Sequence, residues 1–212
     1  MPEVISVTVD ADDPAGPVIA RAAAALREGA LLIYPTDTLY ALGGLALKAG
    51  VGRKVREAKG REESKPLPLV AEGLAQARSL CAAWPEAAAR LAARFWPGPL
   101  SLVLPARAEV PKEVTAGTAT VAVRVPAREL TRRLCADGPL IATSANRAGE
   151  AAPRVCGEAV AAVGAWAALA LDGGPGRLAS STLVDLTGDS PRLVRAGPVE
   201  WKDVLAALEA SS

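Results

Sequence analysis

Apolar and polar residues alternate from Val4 to Val9, the period of two expected of a half-buried strand. A turn-rich break, Asp10 to Gly16, separates it from Pro17 to Arg27, which predicts a helix stopped near Gly29. Leu31 to Pro35 is a short apolar run and the next predicted strand. Val51 to Lys59 predicts a helix with basic residues near its end and Gly60 as its stop. Leu67 to Ala71 predicts a strand, and two alanine-rich helices follow, about Leu74 to Ala83 and Pro85 to Phe95, until Pro97-Gly98-Pro99 forces a break. Leu100 to Leu104 and Thr120 to Val125 predict strands, joined by a polar loop that holds Thr115, Gly117 and Thr118. Then come a short helix, Glu129 to Ala136, a strand, Leu140 to Thr143, and a helix, Cys156 to Trp166. Ala167 to Leu171, Thr182 to Leu186 and Arg192 to Arg195 predict strands. A final helix, about Val199 to Glu209, sets Trp201, Val204, Leu205 and Leu208 on one face.

Helices and strands intermix throughout, with no long linker, repeat or low-complexity block. This predicts one α/β domain over residues 1–212, a twisted sheet with helices around it. Composition agrees: the 212 residues are 50% apolar and 22% charged, enough for a substantial core. The net charge of +1 gives no global field for nucleic acid or a membrane surface, so a polyanion would need a local basic cluster. The chain has no histidine, which removes the usual general base, the commonest metal ligand and every histidine-containing triad. Cys81, Cys135 and Cys156 are too scattered for zinc and odd in number, which reads as idle thiols in a reducing cytosol. Met1-Pro2-Glu3-Val4 carries no basic or long apolar signal, and Arg, Glu or Pro interrupts each alanine-rich stretch. A cytoplasmic protein with neither a signal peptide nor a membrane span is therefore expected.

Polar groups gather at the predicted strand and helix ends. Both tyrosines of the chain lie in Tyr34-Pro35-Thr36-Asp37-Thr38-Leu39-Tyr40, which reads either as a strand delivering hydroxyls to a pocket rim or as a strand ending in an Asx turn at Asp37. Lys59-Gly60-Arg61, with Lys65 shortly after, offers cations to one ligand or simply complements the helix dipole with a glycine cap. Thr143-Ser144-Ala145-Asn146 follows an apolar strand, where α/β sheets bind ligands, although a turn or helix cap explains it too. In Thr120 to Val125 the three valines share one face and Ala122 and Arg124 the other, so Arg124 is either solvated or a carboxylate anchor. Ser180-Ser181-Thr182 and Arg195-Ala196-Gly197 suit phosphate, or ordinary turns. Neither the P-loop nor Gly-x-Gly-x-x-Gly is present; Gly173-Gly174-Pro175-Gly176 reads as a loop.

In order along the chain, Tyr34 to Tyr40, Lys59-Gly60-Arg61 with Pro66-Leu67, Trp96 to Leu100, Val121 to Pro126, Thr143 to Asn146 with Gly149, Ser181 to Asp185, and Arg195-Ala196-Gly197 resemble the threonylcarbamoyl-AMP synthase family, the YrdC-like proteins. The resemblance is strongest over residues 20–200. It departs at Ala41, where the family usually has glycine, at Glu62, where proline is common, and at Val70, near where some members carry histidine. It is to the short form, without the extra C-terminal domain of longer relatives. The fold it implies is a twisted, mixed open sheet flanked by helices around a concave substrate cleft.

The reaction it implies joins L-threonine, bicarbonate or CO2 and ATP into threonylcarbamoyl-AMP and pyrophosphate, for threonylcarbamoyladenosine in tRNA. Such a transfer needs positioning and charge neutralisation more than a protein nucleophile, so the lack of histidine is no obstacle. By resemblance, Lys59 and Arg61 neutralise the phosphates, and Ser144 and Asn146 orient the carbamate and α-phosphate. Arg124 pairs with the threonine carboxylate, Thr38 with Thr36 and Tyr40 recognises the amino acid, and Ser181 and Arg195 bind nucleotide or the threonine end of the adenylate. Lys65 and Thr120 are further ATP contacts. Mg2+ is expected with the triphosphate and no dedicated protein metal site. A tRNA threonylcarbamoyl transferase is the implied recipient of the labile adenylate. Two alternatives stand beside this reading: a tRNA or double-stranded RNA-binding module using Lys59, Arg61, Lys65, Arg124 and Arg195, and a diverged paralogue of the same fold without the activity.

Overall fold

The computed structural model describes residues 4–60, 64–176 and 179–209. In chain order the elements are β1 (Ile5–Thr8), α1 (Gly16–Arg27), β2 (Leu31–Pro35), β3 (Tyr40–Gly43), α2 (Val51–Lys59), β4 (Leu69–Val70), α3 (Leu74–Ser79) and α4 (Glu86–Phe95). There follow β5 (Leu100–Pro105), α5 (Lys112–Thr115), β6 (Thr120–Arg124), α6 (Glu129–Leu134), β7 (Leu140–Ile141), β8 (Thr143–Ser144), α7 (Cys156–Val163), β9 (Ala167–Asp172), β10 (Thr182–Asp185), β11 (Arg192–Arg195) and α8 (Trp201–Glu209). A single 3-10 turn, Gly164–Trp166, joins α7 to β9. The ends of α2 follow local chemistry: Gly60 takes the left-handed conformation (φ 57°), and its amide bonds back to Glu57 O, closing the last turn.

The strands form two mixed sheets rather than the one expected. The first runs β1-β9-β2-β3-β8 and the second β11-β10-β5-β6-β4-β7. In the first, β1, β9 and β2 are parallel, and β3 and β8 are added antiparallel. In the second, parallel pairs (β10 with β5, β4 with β6) alternate with antiparallel ones. The run Leu140 to Thr143, expected as one strand, is divided between the sheets: Leu140 and Ile141 pair with β4, while Thr143 and Ser144 pair with β3. A hydrophobic run shows that a segment is buried; it does not show which neighbour takes its hydrogen bonds, and that hid the second sheet.

The crossover is firmly tied. Ile141 N donates to Gly44 O at 2.9 Å and Ala142 N to Pro68 O at 2.8 Å. The buried Tyr34 hydroxyl donates to Ile141 O at 2.7 Å. Gly43 passes so close that a Cβ there would sit 1.5 Å from Ile141 O, so β3 admits only glycine at this point.

Strand β2 is buried on both faces, as expected of a central strand covered from each side. Leu31 and Ile33 enter a large core with Leu100, Leu102, Val121 and Val123. Leu32 and Tyr34 enter a second with Ala22 and Leu26 of α1, Leu130 and Leu134 of α6, and Leu169 and Leu171 of β9. Two elements escaped the pattern reading. Strand β3 lies in a stretch to which the pattern assigned no element, and α5 forms inside the polar loop before Thr120. The apolar stripe of α8 is narrower than expected: Val204 is buried, Trp201 and Leu208 pack against the core, and Leu205 is exposed.

Candidate active site

Between the sheets lies a cavity of about 150 Å3, lined by Thr36, Thr38, Leu39, Tyr40 and Ala41 from the first sheet and its turn, by Pro68, Leu69, Val70, Ser101 and Arg124 from the second, and by Ala142, Thr143, Ser144, Ser180, Ser181 and Arg195. A larger hollow of about 780 Å3 lies between α2 and α5, lined by Arg53, Arg56, Lys112 and neighbours; among the described residues it holds none of those expected at the substrate.

The turn between β2 and β3 is built by Thr36 rather than by the expected Asx turn at Asp37. Its Oγ1 accepts from Thr38 N at 3.1 Å and Leu39 N at 3.2 Å, and donates to Leu39 O at 2.8 Å. Thr36 thus shapes the turn while Thr38 Oγ1, 2.9 Å away, faces Arg124. Asp37 is released from turn duty and meets Arg124 across the gap between the sheets, with Arg124 Nη1 donating to Asp37 Oδ1 at 2.8 Å.

Arg124 is only 5% exposed and Asp37 7%, so the solvated-face reading of Arg124 fails. The hydrophobic alternation of β6 was read correctly, but the opposite face turns inward to the cleft. Burial draws the Arg124 pKa down, and the Asp37 carboxylate opposes that, keeping the guanidinium charged in place. The pairing uses one carboxylate oxygen: Asp37 Oδ2 is buried and has no hydrogen-bond partner among the described residues.

Arg195 reaches the cleft from the end of β11. Its Nε donates to Ser181 O at 3.0 Å and its Nη2 to Ser181 Oγ at 3.1 Å. Ser181 Oγ lies 2.8 Å from Ser101 Oγ, a hydroxyl on β5 that the strand reading passed over. The signal was present in Leu100-Ser101-Leu102-Val103-Leu104, where one hydroxyl interrupts an apolar strand. Partial burial, and then the nearby charge of Arg124, lower the Arg195 pKa. Arg195 has no ion-pair partner among the described residues. Two guanidiniums feel each other across a hydroxyl-lined cleft, and among the described residues only Arg124 is paired with a carboxylate, leaving a net positive charge that an anion would neutralise.

The remaining expected residues divide. Ser144 lines the cleft. Lys59 and Asn146 stand behind it: Lys59 Nζ donates to Ser144 O at 2.5 Å, to Asn146 O at 2.6 Å and to Asn146 Oδ1 at 3.1 Å. Ala148 N returns a bond to Lys59 O at 2.8 Å, so α2 and the Thr143–Asn146 segment are stitched together. Tyr40 lines the cleft, but its hydroxyl lies in the loop after β9, bonded to Asp172 Oδ1 at 3.0 Å and Gly174 O at 2.7 Å. Burial, with the Asp172 bond, raises the Tyr40 pKa well beyond its ordinary value, so the phenol stays protonated. The two tyrosines therefore act first as struts, one for each sheet-end connection. Lys65 is exposed and Thr120 Oγ1 contacts Thr118 Oγ1 at 2.9 Å; neither lines the cavity. Arg61, and Glu62 after it, lie outside the described residues. Among the described residues no cluster of three acidic or cysteine side chains could hold a metal ion.

The Sua5/YciO/YrdC family model, which carries the description "Telomere recombination", matches residues 24–197. The threonylcarbamoyl-AMP synthase of Pyrococcus abyssi is 39% identical over 186 residues, 86% of this chain and 55% of that protein. The threonylcarbamoyl-AMP synthase of Bacillus subtilis is 36% identical over 196 residues, 91% of this chain and 57% of that protein. The chain thus spans a little over half the length of these relatives. The crystal structure of Pyrococcus abyssi Sua5 complexed with L-threonine has a TM-score of 0.91 at 36% identity, covering 97% of this chain and 61% of that one. The two-sheet fold, the order of the motifs around its cleft and the family match over residues 24–197 agree, and the chain belongs to the Sua5/YciO/YrdC family.

Proposed function

We propose that this chain condenses L-threonine, bicarbonate or CO2 and ATP into threonylcarbamoyl-AMP, releasing pyrophosphate, as a transferase of the nucleotidyl class. The observation that carries the reading is the convergence of Arg124 and Arg195, from different strands, on a small cleft lined by hydroxyls. The relatives named threonylcarbamoyl-AMP synthase and the relative solved with L-threonine support the same choice.

In this reading the threonine carboxylate meets Arg124, and the side chain of Thr38 bounds the amino-acid end. The threonine amine attacks CO2, loses a proton and becomes a carbamate. A carbamate oxygen then bonds to the α-phosphorus of ATP as the α–β bridging bond breaks and pyrophosphate leaves. Ser144, Ser181 and Arg195 hold the carbamate and the α-phosphate in line, and Thr36 and Tyr40 fix the wall against which the amino acid rests. Positioning and charge neutralisation of this kind supply the rate without a protein nucleophile. Lys59 holds the Thr143–Asn146 segment, with the Asn146 side chain, and adds positive potential. Arg61, Lys65 and Thr120, beyond the small cavity, are the proposed contacts for the rest of ATP. Mg2+ enters as part of the MgATP substrate.

The product is a labile mixed anhydride, and its proposed consumer is a transferase that modifies tRNA, which places the reaction in the cytoplasm. No helix among the described residues is long and apolar enough to cross a membrane. The RNA-binding alternative has less support. Lys59 and Arg124, two of the cations it needs, are buried and committed to protein oxygens, and the net charge is only +1.

The test is pyrophosphate release by the purified protein with ATP and Mg2+. Release that requires both L-threonine and bicarbonate is expected. A folded protein that binds ATP and releases no pyrophosphate with both present would overturn the reading.

A further inference from the structure

We infer that Asp37 is a positioning residue for threonine recognition: it holds Arg124 at the junction of the two sheets with the guanidinium's free edge turned to the substrate. This rests on the reading proposed above. The contact is one-sided. Arg124 Nη1 is anchored on Asp37 Oδ1 at 2.8 Å, whereas among the described residues Nη2 has only a long contact, 3.4 Å, to Thr38 Oγ1. Nη2 is therefore poised to exchange a weak partner for a strong one, as a carboxylate-binding arginine must.

The second observation is Asp37 Oδ2, buried and without a hydrogen-bond partner among the described residues. A carboxylate placed for stability alone would present both oxygens to the guanidinium in a bidentate pair, the commonest strong geometry for these two groups. Here the single-oxygen contact leaves the other guanidinium nitrogens uncommitted to Asp37. The carboxylate also sits on the turn that carries Thr36 and Thr38, while Arg124 sits on β6 of the other sheet, so one ion pair fixes the spacing between the two walls of the cleft. Its charge matters as well. Without Asp37, Arg124 and Arg195 would face each other with two uncompensated charges, and a buried arginine without its partner tends to swing toward solvent or another acceptor.

The test combines threonine titration calorimetry with steady-state kinetics on full-length wild type, Asp37→Asn, Asp37→Ala, Arg124→Ala and the double variant Asp37→Ala/Arg124→Ala. Asp37→Ala is expected to weaken threonine binding and raise the threonine KM about 10-fold or more, with the KM for ATP at saturating threonine within about 2-fold of wild type. Asp37→Asn, nearly isosteric and still able to offer one oxygen, is expected to fall between wild type and Asp37→Ala. The double variant is expected to bind threonine no worse than Arg124→Ala alone, because Asp37 acts through Arg124. Multiplicative losses in the double variant, or equal rises in both KM values, would overturn the assignment. If Asp37→Ala fails to fold, Asp37→Asn decides: a folded Asp37→Asn with wild-type threonine affinity also overturns it. A wild-type protein that binds no threonine sinks the proposed function itself; a wild type that binds threonine regardless of position 37 sinks only the role of Asp37.

Discussion

At Lys59 the ammonium reaches Ser144 O, Asn146 O and Asn146 Oδ1 from the last turn of α2, in a setting only 4% exposed. Lys59→Met keeps the aliphatic stem and removes these donors; Ser144 O keeps its bond from Asn146 N, while Asn146 O and Oδ1 lose the ammonium, at roughly 1–3 kcal/mol for a buried acceptor left unsatisfied. The expected result is a loss of stability together with a kcat deficit, because the Ser144 hydroxyl is carried on the released segment; urea unfolding and pyrophosphate release measure the two. At this scale the sequence showed where polar groups gather but not what each of them bonds to. Thr36, Asp37 and Thr38 were recognisable as a polar knot, yet Thr36 proved to be the turn builder and Asp37 the ion-pair partner. Sequence shows that an aspartate is present, but an Asx turn and a contact to an arginine 87 residues away look alike in it. The protein acceptors of Lys59 lie far along the chain, at Ser144 and Asn146, where the sequence gives no sign of the pairing.

Among the elements, those with a strong period and a clear stop were readable. Helix α2 begins and ends where its pattern and Gly60 placed it, and β2 matches its apolar run residue for residue. The short strands were not. Strand β3 has four residues, and β7 and β8 two each, too few to display a period, and their pairing is set by neighbours distant in sequence. Gly43 on β3 offers a sharp check. A methyl group there would meet Ile141 O at 1.5 Å, so Gly43→Ala must push β3 from the crossover and disturb the Tyr34 bond to the same oxygen. Forced overpacking typically costs about 1–3 kcal/mol, occasionally more. A fall in Tm of about 2–4 °C per kcal/mol is expected by calorimetry, with Gly16→Ala, where a Cβ would meet nothing, as the control that leaves Tm nearly unchanged.

Over the whole molecule, all three cysteines are free and buried, as their scatter predicted. Burial pushes the thiols of Cys81 and Cys156 up from 9.0 to about 11, and that of Cys135 higher still. These acids are raised in the folded state, so the unfolded chain releases their protons first. The stability they confer is intact below about pH 9 and is lost as the pH climbs through about 11. The urea midpoint should therefore fall between pH 9 and pH 11, and alanine at Cys81 and Cys156 should flatten that fall. In the same range, thiol reagents should label the native protein slowly and the unfolded protein fully. The fold class was legible at this scale, since intermixed helices and strands admit few other arrangements, while the division into two sheets was not. That division gives the crossover at Ala142 a meaning beyond architecture. The floor of the cleft belongs to neither sheet: Ser144 is delivered by one, Val70 and Arg124 by the other, and the chain between them is bonded to both. No fragment containing one sheet can carry half an activity, and a partial unfolding of either sheet dismantles the whole site.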